Sequence, residues 1–220
     1  RCGKRAPPRW GSPWSFSTEL GHSWRIATLS KVLKRIQKQN HNNLVRELAE
    51  DLRVESASTI LAALEDLELE AGLPAAGWSL RGKAWMLLDQ PLAAREVFAS
   101  GLKAYPGDGV LRLNLAAAQL VLGAATDALE ILETLDDFVS GNRSQQATLL
   151  RNRAAAAKQC GRHAQALVDL EALRELEGDS EALSWNLASA YEQVDELAKA
   201  ALLYRKLLRG VEPQPWREAP

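Results

Sequence analysis

"AAGWSLRGKAWMLLDQPLAAREVFASGLKAYPGD", residues 75–108, sets a pattern that the following residues repeat. Counted from Ala75, it places Trp78, Gly82, Trp85, Ala94, Phe98 and Pro106 at positions 4, 8, 11, 20, 24 and 32. Residues 109–142 follow with Leu115, Ala116, Gly123, Ala128, Leu132 and Leu135 at positions 7, 8, 15, 20, 24 and 27. Four residues, 143–146, fall outside the period; then 147–180 puts Leu150, Ala154, Gly161, Ala166, Leu170 and Leu173 at 4, 8, 15, 20, 24 and 27. Residues 181–214 put Leu187, Ala188, Tyr191, Ala200, Tyr204 and Leu207 at 7, 8, 11, 20, 24 and 27. Self-similarity at a fixed period of this length marks a repeat architecture rather than a globular core.

These positions resemble the tetratricopeptide repeat, and the resemblance covers residues 75–214. It implies an all-α chain: a right-handed α-solenoid of about four helix pairs, 75–108, 109–142, 147–180 and 181–214, with residues 215–220 as a tail. The spacing then has a physical reason. Alanine or glycine at positions 8 and 20 lets the two helices of a pair approach closely, and large residues at 4, 7, 11 and 24 fill the space against the next pair. One pair cannot bury its apolar face alone, so stacking supplies the core and leaves a concave side. Asp108 and Asp179-Ser180 are expected to cap helix starts. Three residues depart from the pattern: Arg81 and Arg153 at position 7, usually leucine, and Gly101 at position 27. Looser packing or a shift of register is expected there.

The first 74 residues read differently. Residues 1–28 mix Pro7, Pro8 and Pro13 with Trp10, Trp14, Trp24 and scattered arginines, without helical or strand period, as an extended, partly disordered arm would. Residues 29–74 read as a helical region of about three helices: a basic amphipathic one from Thr28, with Leu29, Val32, Leu33 and Ile36 as its stripe, then Leu44–Leu52 and Ser56–Glu70. "QNHNN", 39–43, is expected to interrupt the first two. Residues 1–46 hold ten Lys/Arg against Glu19 alone, while 47–220 hold 17 basic and 27 acidic residues, which makes a basic arm on an acidic body. Arg25, Lys31, Lys34, Arg35 and Lys38 in that arm are candidates for holding nucleic acid or an anionic membrane surface. "LAEDLRVESASTILAAL", 48–64, has the outline of a helix-turn-helix, but Ser56–Asp66 lacks the Arg, Lys, Asn or Gln that reads base edges; a plain helical hairpin is the expected reading.

Nothing in the pattern carries catalytic chemistry, and no enzyme activity, metal or cofactor is expected. His22, His41 and His163 lie in separate segments with no ligand-like or triad-like neighbours, and no phosphate loop of the G-x-x-x-x-G-K-[ST] type occurs. Cys2 and Cys160 belong to no cysteine cluster, which points to a cytoplasmic or other reducing compartment as the expected setting. Asn142-Arg143-Ser144 fits a glycosylation sequon, a triplet common by chance. The longest uncharged run, Leu113–Thr126, is 14 residues, short of the roughly 18 to 20 of a spanning helix. The chain opens on Arg1 without an initiator methionine, so a trimmed start is expected, and with it the alternative of a regulatory part of a larger enzyme.

The resemblance also implies where a ligand would sit. In such repeats the first helix of each unit lines the groove through positions 2, 5, 6, 9, 12 and 13. Position 6 reads Leu80, Asn114, Asn152 and Asn186; with Lys83, Arg151 and Lys158 these form a polar, partly basic lining. Met86, Leu113 and Trp185 are its expected apolar contacts. The clamp for a chaperone C-terminal carboxylate is not matched, since Ser79, Lys83, Thr148 and Asn152 stand where such members carry Lys, Asn, Lys and Arg. The implied function is a non-catalytic scaffold or adaptor that binds a protein or peptide segment.

Overall fold

Three of the first-helix starts carry a side-chain cap. Asp108 Oδ1 accepts the Leu111 amide at 2.8 Å, Asn142 Oδ1 that of Gln145 at 3.1 Å, and Ser180 Oγ that of Leu183 at 3.2 Å. The computed structural model describes residues 39–209. Helical backbone over 39–50 (α1) is followed by α2 (Ala57–Ala71), α3 (Ala75–Leu87), α4 (Pro91–Ala104), α5 (Gly109–Val121) and α6 (Ala125–Leu132). Then come α7 (Asp136–Val139), α8 (Arg143–Gln159), α9 (His163–Glu177), α10 (Glu181–Gln193) and α11 (Leu197–Arg209). No strand occurs among the described residues.

Helices pack as antiparallel neighbours, α3 with α4, α5 with α6, α8 with α9 and α10 with α11, and each pair leans on the next. The turn inside every pair is built identically. Asp89, Gly123, Gly161 and Asp195, all at position 15, have φ of 56°, 79°, 72° and 63°. The residue after each donates its amide back across the helix end, to Trp85, Gln119, Ala157 and Tyr191 carbonyls at 2.8–2.9 Å. This is the left-handed helix stop that glycine adopts without strain and aspartate tolerates.

The core is correspondingly divided. Val45, Ile60, Leu64, Leu67, Leu73 and Leu80 join α1 and α2 to α3. Phe98, Leu111 and Ala118 join α4 to α5; Leu113, Leu129, Leu132, Leu135 and Leu149 join α5 and α6 to α8. Leu150, Leu170, Leu173, Leu183, Leu187 and Tyr191 hold α8 to α11. Such a chain of local cores is what stacked pairs produce.

Several expectations need correction. Residues 39–43 are helical rather than a break: an interior asparagine costs only about 0.5 kcal/mol against alanine, less than the burial of Val45 in the same helix returns. The four residues outside the period, 143–146, form the first turn of α8, which lengthens that helix to 17 residues. The second helix of unit 109–142 stops early, at Leu132, and α7 follows. There the Thr134 hydroxyl donates back to the Ile131 carbonyl at 2.7 Å, and Arg112 Nη2 donates to Thr134 Oγ1 at 2.5 Å.

The departures at position 7 are also explained. Arg81 pairs with Glu68 on α2, and Arg153 reaches both Asp169 on α9, at 2.8 Å, and Asp136 on α7, at 2.9 Å. Gly101 is not loosely packed: a Cβ there would lie 2.8 Å from Trp78 Cβ, so the indole takes the space a side chain would need. The arm residues Arg25, Lys31, Lys34, Arg35 and Lys38 lie outside the described residues. The hairpin α1–α2 packs its apolar side, Ile60, Leu64 and Leu67, onto the start of the array.

Candidate functional site

The first helices of successive pairs touch along the array, α3 on α5 and α5 on α8, but α8 and α10 are held together almost entirely through α9. Between them opens a cleft of about 690 Å³. Its walls are short side chains, Ala154 and Ala155 from α8 and Ala182 and Ala190 from α10, which cannot close the gap. Its floor is Ala166, Leu170 and Leu173 of α9. Polar groups stand at the rim. At one end Arg151 Nη2 donates to Glu177 Oε2 at 2.6 Å, both side chains about half exposed. At the other, Lys158 Nζ donates to Ser189 Oγ at 3.3 Å, with Gln159, His163 and Gln193 nearby in the lining. Asn186 faces the cleft from α10.

An apolar floor with a few polar groups at its edge is the usual build of a recognition site. Exposed ion pairs contribute roughly 0–1 kcal/mol, so breaking the Arg151–Glu177 pair costs little. Tyr191, packed below the α10–α11 junction, keeps its phenol protonated above the usual range because burial and the Glu171 carboxylate, 2.5 Å away, disfavour the anion. No group of His, Cys, Asp and Glu among the described residues has the arrangement of a metal site.

The residues singled out from sequence divide sharply. Arg151, Lys158 and Asn186 come together in this cleft. Lys83 lines a separate cleft of about 470 Å³ between α1, α3 and the start of α5. Leu113 does not face a groove: it is 5% exposed and lies on the side of α5 that packs with Leu129 and Leu132 of α6. Met86 is half-buried against the Phe98 cluster. Trp185 is exposed but leans on Tyr204, ring centroids 5.4 Å apart. Asn114 donates to buried Ser79 Oγ at 2.7 Å and so ties α5 to α3. Asn152 is half-buried on α8 and outside the cleft lining. One repeat position thus holds three asparagines in three settings.

Sequence reasoning missed the alanines of the two walls. Their signal was present: Ala182 and Ala190 stand on α10 beside Asn186, where a leucine would have filled the gap.

Comparison with known proteins places this geometry. A family model described as Tetratricopeptide repeat matches residues 86–152. No curated protein matches the chain. Among solved structures, "MamA 41-end from Desulfovibrio magneticus RS-1" is similar with a TM-score of 0.64 and 16% identity, covering 80% of this chain and 98% of its own. The "MamA RS-1 ArsTM double mutant" gives 0.64 and 16%, covering 79% and 93%. The Pseudomonas aeruginosa pilF structure gives 0.67 and 13%, covering 81% and 79%. At these identities the likeness is one of fold.

Proposed function

The chain is a tetratricopeptide-repeat solenoid, and from that premise we propose that it is a binding scaffold which takes a segment of a protein partner on its concave side. The observation that carries this reading is the cleft between α8 and α10, wide enough for several side chains, apolar at the floor and polar at both ends. The apolar floor supplies affinity when a partner side chain displaces water from it. Asn186, Arg151 and Lys158 supply orientation, because an amide both donates and accepts while the two cations only donate.

A steric plug tests the idea. Ala155 is exposed on the cleft wall, so Ala155→Trp fills the space without entering the core. Peptides selected from a random display library on the wild-type chain are expected to lose at least about tenfold in affinity on the plugged variant, roughly 1.4 kcal/mol, with the melting temperature unchanged. Selected peptides that bind both forms equally would sink the reading.

A further inference from the structure

A second cleft among the described residues shares the design of the first, and it points to the chemistry of the partner. The smaller lies between α1, α3 and α5, with Val45, Ala49, Leu52 and Leu80 as apolar lining and Arg46 and Lys83 as its cations. Its carboxylate, Asp108, is already committed to the Leu111 amide at 2.8 Å. The larger cleft repeats this arrangement: apolar floor, Arg151 and Lys158 as cations, and Glu177 as a carboxylate already committed to Arg151. Arg46 and Lys83 are exposed and pair with no carboxylate among the described residues. Among the described residues Lys158 meets a hydroxyl, Ser189 Oγ, and no carboxylate.

This runs against the composition of the body, where acidic residues outnumber basic ones, 27 to 17, over 47–220. We propose that the two clefts, one near each end of the array, bind a single extended partner carrying two acidic segments, each with an apolar side chain for the floor and a carboxylate for the lysine. The proposal rests on the scaffold reading above and adds the partner's charge and its bipartite form. The chain's own N-terminal segment does not suit the role, because residues 1–38 carry nine Lys/Arg against Glu19 alone. Like charges would meet at both lysines.

The electrostatics favour a carboxylate here for a simple reason. A cation with no partner at the rim of an apolar floor gains a charge-assisted hydrogen bond when a carboxylate arrives, and it loses only water. Tethering two such contacts converts the second into an intramolecular event, which raises affinity by about a hundredfold or more when the linker spans the sites.

The test uses the full chain and synthetic peptides: a block Asp-Glu-Leu-Leu-Glu, two such blocks joined by Gly-Ser linkers of graded length, and twins with Asn and Gln replacing the acids. Titration calorimetry is expected to show the two-block acidic peptide binding about a hundredfold tighter than one block at the best linker length. Lys83→Glu or Lys158→Glu should each reduce it to single-block affinity. Lys83→Ala and Lys158→Ala should do so partially, with circular dichroism confirming an intact fold. Two blocks binding no tighter than one would overturn the bipartite form. Neutral twins binding equally well would overturn the charge argument. So would a single-stranded oligonucleotide that binds more tightly than any peptide and is lost in both lysine variants. In each of these cases the scaffold reading stands if library peptides still bind and Ala155→Trp blocks them. It falls with the proposal if they do not.

Discussion

The Phe98 ring lies where a methyl group on Gly82 would have to go: a Cβ added there would stand 2.1 Å from Phe98 Cε1. The other units carry alanine at position 8 and leucine or tyrosine at 24: Ala116 and Leu132, Ala154 and Leu170, Ala188 and Tyr204. Glycine is therefore the complement of phenylalanine. Gly82→Ala is expected to cost about 1–3 kcal/mol, the usual penalty of overpacking a filled core, read as a lowered urea midpoint at constant slope. Adding Phe98→Leu to that variant should recover most of the loss. A Gly82→Ala chain as stable as wild type would show that the ring is free to move aside. A small residue at position 8 was legible in the sequence; that one ring requires it was not, since the pairing spans 16 residues and two helices.

Arg153 shows how an element can deviate from its repeat and be used for something else. Where leucine is expected, its guanidinium forks onto Asp169, which is 4% exposed, and reaches Asp136 on α7. These carboxylates hold the arginine protonated beyond its ordinary range. The break after α6 belongs to the same arrangement, because it brings Asp136 to the position where Arg153 ends. Removing one partner leaves Asp169 buried and uncompensated, so Arg153→Ala should cost about 3–5 kcal/mol. Arg153→Leu combined with Asp169→Leu should restore most of that, since apolar replacement of a buried pair is often neutral or better. A double-mutant cycle by thermal denaturation measures both, and simple additivity of the two changes would refute the coupling. From sequence the arginine was visible only as an anomaly. Its partners lie 16 and 17 residues away on two helices, one of them an element the repeat pattern does not contain. The turns fared better. Gly123 and Gly161 announced two of them, whereas Asp89 and Asp195 fill the same left-handed position with a residue that also suits ordinary loops.

Across the whole molecule, burial at one register position falls off at the C-terminal end. At position 24, Phe98, Leu132 and Leu170 are 1%, 0% and 7% exposed, while Tyr204 is only half-buried, as is Leu207 at position 27. No helix of the described residues follows α11 to cover them. Hydrogen exchange followed by mass spectrometry should therefore find the amides of α11 exchanging well before those of α4 and α9, and equal protection would contradict a core divided pair by pair. The helical pairs and their period were legible because small and large residues recur on schedule. Which first helices touch and which stand apart was not, because that depends on wall residues the period leaves unspecified. The seam between α8 and α10 has one more consequence. The last pair rests on the remainder of the array mainly through α9. A tilt of that pair about α9 would widen or narrow the space between Ala155 and Ala182, so the cleft's width and the attitude of the last pair are one variable.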